Sequence, residues 1–89
     1  MGILNSIRNL VENGLYYLTE HAIFEADNDD IAIYDIESVL LKGHIRRIWP
    51  REKKYEIIGV SRNKSIGVVC RVTETQKVRI ITVYIDRPR

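Results

Sequence analysis

The groups that could do chemistry in this 89-residue chain are two histidines, one cysteine and a set of arginines placed among strand-like residues. His21 follows Thr19 and Glu20 at the start of a helical pattern. A helix N-terminus favours the neutral imidazole and offers N–H groups to an anion. His21 therefore reads either as a general base at near-neutral pH or as a half-buried side chain packing its helix onto the sheet. Arg71 interrupts the run Val68-Val69-Cys70-Arg71-Val72. A guanidinium there can hold a phosphate through paired hydrogen bonds, or can serve as an ordinary exposed strand residue or ion-pair partner. Tyr84 can donate to a phosphate oxygen or stack on a base, and Thr82 is a weaker candidate beside it. Arg46, Arg47, Arg51, Lys53 and Lys54 are interleaved with Trp49 and Tyr55. Cations among aromatics suit nucleic acid, since phosphates are neutralised while bases stack. The plainer reading is an edge strand kept from aggregating by its charges. Cys70 reads as a small core residue. His21 and His44 are too few and too far apart for a metal site, and no phosphate-binding glycine loop is present. No metal and no cofactor are expected.

The elements that must position these groups follow from periodicity. Ile3, Leu4, Ile7, Leu10 and Val11 recur at helical spacing, with Asn13-Gly14 as the stop. Leu15 to Leu18 reads as a brief extended link. Thr19 caps a second helix with the apolar stripe Ala22, Ile23 and Ala26, ended by Asp27-Asn28-Asp29-Asp30. Ile33, Ile36, Val39 and Leu40 mark a third helix, closed by Gly43. The period then changes to that of strands. One strand carries Ile45 and Ile48 and ends at Trp49-Pro50. Tyr55–Ser61, Ile66–Thr73 and Lys77–Ile85 follow, with turns near Asn63-Lys64-Ser65 and Glu74-Thr75-Gln76. Ile66, Val68, Cys70 and Val72 share one face, and Ile81, Val83 and Ile85 suit the core. Parity groups Arg71, Thr82 and Tyr84 on the open face and excludes Arg79 unless a bulge intervenes. The class is α+β: N-terminal helices packed on a four-stranded, mainly antiparallel sheet.

Composition bounds the rest. The length suits one small domain spanning residues 1–89, with a loose tail at 86–89. Up to Gly43 there are two basic and eight acidic residues, and after it twelve basic and four acidic. Packed as layers, the strand half attracts an anionic partner, for which nucleic acid is the obvious candidate, and the helical half repels it. One cysteine excludes an internal disulfide and weakly favours a reducing compartment. Neither a membrane-length apolar run nor a signal-peptide pattern is present. A cytoplasmic location without membrane attachment is expected. Oligomeric state is not legible.

The blocks Tyr17-Leu18-Thr19-Glu20-His21-Ala22, Leu40-Leu41-Lys42-Gly43, Pro50, Gly67-Val68-Val69-Cys70-Arg71-Val72 and Ile80-Ile81-Thr82-Val83-Tyr84 carry a family resemblance. In order and spacing they resemble domain-of-unknown-function family 4258, from about Tyr16 to Ile85, with residues 1–14 as an added helix. That family resembles the RelE-like, barnase–EndoU–colicin–RelE class of folds, many of them metal-independent ribonuclease toxins of toxin–antitoxin systems. The resemblance implies attack of a ribose 2′-hydroxyl on the adjacent phosphate. In that scheme His21 is base or acid, Arg71 stabilises the growing charge, and Tyr84 and Thr82 orient the phosphate. It also implies a small antitoxin partner. The family pattern commonly runs His-Ala-x-x-Arg, with a second arginine before the next helix. Here Glu25 and Asp29 stand in those places, and carboxylates beside a phosphate repel it. Three expectations result: a ribonuclease toxin, a catalytically inactive module of the same fold that binds RNA or an acidic protein, and a small subunit whose helical half pairs with another protein.

Overall fold

The computed structural model describes residues 2–87. Helix α1 spans Ile3–Glu12 and buries Ile7, Leu10 and Val11. Gly14 takes the left-handed turn after it, with φ 72°. Strand β1 is Tyr16–Leu18. Helix α2 is Glu20–Asn28, where the Thr19 hydroxyl accepts the Ala22 N–H at 3.1 Å. Its buried stripe is Ala22 and Ala26 alone. Ile23, expected in that stripe, is 55% exposed, since it lies about 100° around the helix from Ala22. Helix α3, Ile33–Lys42, buries Asp35, Ile36, Val39 and Leu40, while Ile33 faces out. Gly43 ends α3 in extended geometry, so its glycine is not a left-handed cap. A Cβ there would lie 2.3 Å from the Ile58 carbonyl oxygen and 2.6 Å from that of Val39. Close backbone approach is what the position requires. Arg8 of α1 donates to the Gly43 carbonyl at 2.7 Å.

The strands β2 (His44–Trp49), β3 (Lys54–Ser61), β4 (Lys64–Val72) and β5 (Val78–Ile85) form a five-stranded mixed sheet with β1, in the order β1-β5-β4-β3-β2. The expectation of four antiparallel strands is corrected here. Tyr16–Leu18, read as a link, pairs parallel with Val78–Ile80. Three residues hold too little alternation to announce a strand. Arg62 and Asn63 both have positive φ, 50° and 65°. They form a two-residue hairpin turn, and β4 therefore starts at Lys64 rather than Ile66.

A second correction concerns β5. Val69 pairs with Thr82, but Cys70 pairs with Ile80, so Ile81 is the extra residue of a bulge. Val78 and Ile80 before it, and Val83 and Ile85 after it, all serve the core. Ile81, expected there, does not belong to that cluster. The Thr19 hydroxyl donates to the Ile81 carbonyl at 3.2 Å while also capping α2. All three helices contribute to one core on one face of the sheet, around Ile57, Val68, Cys70 and Ile80. Burial pushes the Cys70 thiol up to about 12, so it is unreactive at neutral pH.

Two further sets of polar contacts hold α3 in place. Tyr16 of β1 donates to Glu37. Fully buried Asp35 accepts from Ser61 at 2.6 Å, from Arg62 at 3.0 and 2.6 Å, and from the Ala32 N–H at 2.8 Å. The Arg62 hydrogen bonds, with those from Ser61 and Ala32, outweigh burial and hold the Asp35 carboxyl well below the usual range. Asp86, assigned to a loose tail, donates its N–H to the Ser65 carbonyl at 2.7 Å and pairs with Arg46. Pro88 and Arg89 of that tail lie outside the described residues. No helix among the described residues is long and apolar enough to cross a membrane.

Replacing Thr19 with alanine removes the α2 cap and the Ile81 contact together. Its denaturation midpoint should report a loss of about 1–2 kcal/mol, and Thr19→Ser should recover most of it. Asp35 also makes stability depend on acid. Above the ordinary carboxylate pKa of about 4 its full contribution is present. As pH falls below that value the unfolded chain takes up a proton that the folded chain refuses, and stability drops. Asp35→Asn should lower neutral-pH stability by about 2 kcal/mol and flatten the pH–stability curve below about pH 4.

Candidate nucleic-acid interface

With every helix in the core on one face, the other face of the sheet is open. Directly paired residues on neighbouring strands share a face. The pairs Trp49–Lys54, Lys54–Arg71, Arg71–Arg79 and Arg79–Tyr17 therefore form one row across all five strands. Three cations stand side by side between two aromatics. Lys54 makes an exposed ion pair with Glu52 at 3.3 Å, a contact of little energetic weight. Neither Arg71 nor Arg79 has a carboxylate within ion-pairing distance among the described residues. The Arg47 guanidinium and the Lys54 ammonium lie 5.4 and 5.2 Å from the centre of the Trp49 ring, within cation–π range. Trp49 also lines a shallow hollow with Pro50, Arg51 and Glu52. Arg51 and Lys53 stand in the turn that joins β2 to β3, at this same end. Tyr55 turns to the core instead.

The next row is Arg47, Glu56, Val69 and Thr82, and beyond it lies His44, Ile58, Gly67 and Tyr84. Here the face is closed by its own bonds. Arg46 donates to Glu56 at 2.9 Å, to the Tyr84 hydroxyl at 2.5 Å and to Asp86 at 3.2 Å. The Tyr84 ring lies over Gly67, where a Cβ would meet it at 2.1 Å. Burial, then the nearby Glu56 charge, raises the Tyr84 phenol, so it keeps its proton. Arg46 and Tyr84 are cross-links of the sheet in this arrangement: the Arg46 donors are engaged, and the Tyr84 hydroxyl already accepts from Arg46.

His21 lies on α2, past the outer edge of β5. Its Nε2 is 3.2 Å from a Glu25 carboxylate oxygen, and its side chain is 66% exposed. The other Glu25 oxygen accepts the Val83 N–H at 3.2 Å. Beyond the end of β1, Glu25 thus supplies a partner that the β5 edge would otherwise lack. The grouping of Arg71, Thr82 and Tyr84 on one face agrees with the register. They do not cluster, however. Tyr84 lies opposite Gly67, four residues along β4 from Arg71, or roughly 13 Å at strand spacing.

Arg79 and Tyr17 are the residues that sequence reasoning missed. Parity excluded Arg79, and the Ile81 bulge restores it. The pattern held a trace of this: Val78 and Ile80 are out of phase with Val83 and Ile85, which fits one inserted residue. Tyr17 was lost with its strand.

The family model described as a domain of unknown function (DUF4258) matches residues 18–85. That span holds α2, α3, β2 to β5 and the whole row except Tyr17. No curated protein and no solved structure matches the chain. With three quarters of its length accounted for by that one match, the chain belongs to the DUF4258 family.

Proposed function

We propose that this chain binds RNA on the open face of its sheet, in a domain of the RelE-like kind. The observation that carries this reading is the line Lys54–Arg71–Arg79, three cations in adjacent register with no carboxylate within ion-pairing distance of the two arginines among the described residues. Like charges directly opposite one another destabilise a sheet. A polyanion relieves that repulsion and converts it into affinity. The charge split supports the same side, since eight of the twelve acidic residues lie in the helical half of the chain, up to Gly43, whose helices pack on the other face.

A second reading, the metal-independent ribonuclease toxin, is favoured by the His21–Glu25 contact. A carboxylate on one imidazole nitrogen orients the ring. The ring is exposed on α2, one turn before the Glu25 that reaches the β5 edge, and in this reading it would take the proton of a 2′-hydroxyl. Binding is favoured over cleavage because Tyr84 is already bonded to Arg46 and lies far from Arg71.

One experiment separates the two. Labelled RNA is titrated with wild type, Arg71→Ala, Arg79→Ala, His21→Ala and Lys42→Ala, and the RNA is then run on a gel. Binding should weaken as salt rises. Each arginine variant should bind about tenfold more weakly, and Lys42→Ala, on the helical side, should match wild type. Intact RNA establishes a binding module. Cleavage lost in His21→Ala, with growth arrest on induced expression, establishes the toxin. Salt-insensitive binding, or full binding by both arginine variants, refutes the assignment to this face.

A further inference from the structure

We infer that the row from Trp49 to Tyr17 is a track for single-stranded RNA that crosses the β-strands, with an unpaired base stacked at each end. The inference rests on the RNA-binding reading and specifies its ligand.

The direction comes from the register. The five residues are successive cross-strand partners, so their line runs across the sheet rather than along a strand. Neighbouring strands are about 4.8 Å apart, which makes the row roughly 19 Å long. Its cations are contiguous and central, and its aromatics are terminal. A strand lying along it meets Lys54, Arg71 and Arg79 with its phosphates and meets Trp49 and Tyr17 with its bases.

The restriction to a single strand comes from the breadth of the face. Rows on one face are about 7 Å apart along the strands. The next row already holds the Glu56 carboxylate, and Asp86 stands beyond it, both tied to Arg46. A duplex carries two backbones, and the second would lie over this carboxylate-bearing network. Aromatic platforms also need unpaired bases, which a duplex does not offer. Tyr17 is 43% exposed at the outer end of the row, with its ring available to a base.

The two ends differ. At the Trp49 end, Arg51 and Lys53 carry positive charge beyond the sheet, and the hollow beside Pro50 offers apolar surface. At the Tyr17 end the chain passes directly into α2, whose first residue is Glu20. Additional nucleotides are therefore accommodated past Trp49 and discouraged past Tyr17.

The chain has a single tryptophan, so its fluorescence reports on one end of the track without labelling. Wild type and Tyr17→Ala are titrated with oligouridylates of increasing length, with a blunt RNA duplex and with polyglutamate, with folding checked by circular dichroism. Single strands should quench Trp49. Affinity should climb steeply with length to about four nucleotides and only gently beyond, as further nucleotides pass Trp49. The logarithmic salt slope should be about −2, from three cations at about 0.7 each. Tyr17→Ala should weaken strands that span the row about tenfold and leave dinucleotide binding unchanged. A matching DNA strand bound as tightly would define the ligand as any single strand, and one bound more weakly would define it as RNA. Either result supports the track. RNA binding without quenching, duplex bound as tightly as single strand, or equal binding of polyglutamate would overturn the track while leaving an interface on this face. No binding of any RNA at low salt would remove the RNA-binding reading itself.

Discussion

A one-residue slip in the hydrogen-bond ladder between β4 and β5 governs both faces of the sheet. Before it, Val78 and Ile80 face the helices, and after it Val83 and Ile85 do so. A regular β5 would turn one of those pairs outward and lose its burial, at about 1.5–3 kcal/mol for each side chain. The same slip decides what the open face displays. Arg79 joins Arg71 on one side of it, and Thr82 and Tyr84 follow on the other. The bulged residue is not left unsupported, because its carbonyl takes the Thr19 hydroxyl. Glu25 then takes the next free N–H of the β5 edge, that of Val83. Helix α2 thus completes a strand edge that β1 is too short to cover.

Seen this way, Glu25 has a structural reason to be a carboxylate. An arginine in its place could not accept the Val83 N–H. The same carboxylate gives His21 an anionic neighbour. The arginines divide similarly. Arg8 holds the end of α3, Arg46 ties β2 to β3 and β5, and Arg62 closes on buried Asp35. Arg71 and Arg79 make no side-chain hydrogen bond or ion pair of this kind among the described residues. In that, they differ from the basic residues that the fold consumes.

Much of this was legible in the sequence, and the limits have physical causes. The three helices showed in the spacing of Ile7, Leu10 and Val11 and of Ile36, Val39 and Leu40, and in the Thr19 cap. The face of β4 showed in the alternation of Ile66, Val68 and Cys70. The fifth strand did not, because Tyr16–Leu18 is too short for a period and its partner lies about sixty residues away. The fate of Arg46 was also hidden. Sequence shows a cation beside Trp49, whereas its acceptors, Glu56, Tyr84 and Asp86, come from other strands and the chain's end. The site was legible as a charge balance and as Arg71, and it became a row only through register.

The separation of charge into two layers also bears on the kinetics of encounter. A net charge of +2 suggests weak, undirected attraction to a polyanion. An acidic helical layer behind a basic sheet is instead a molecular dipole. In the field of a nucleic acid such a molecule feels a torque before it feels contact, and it arrives with its sheet leading. Orientation that most proteins find by random rotation is then partly set during approach, and the advantage fades as salt shortens the reach of the field.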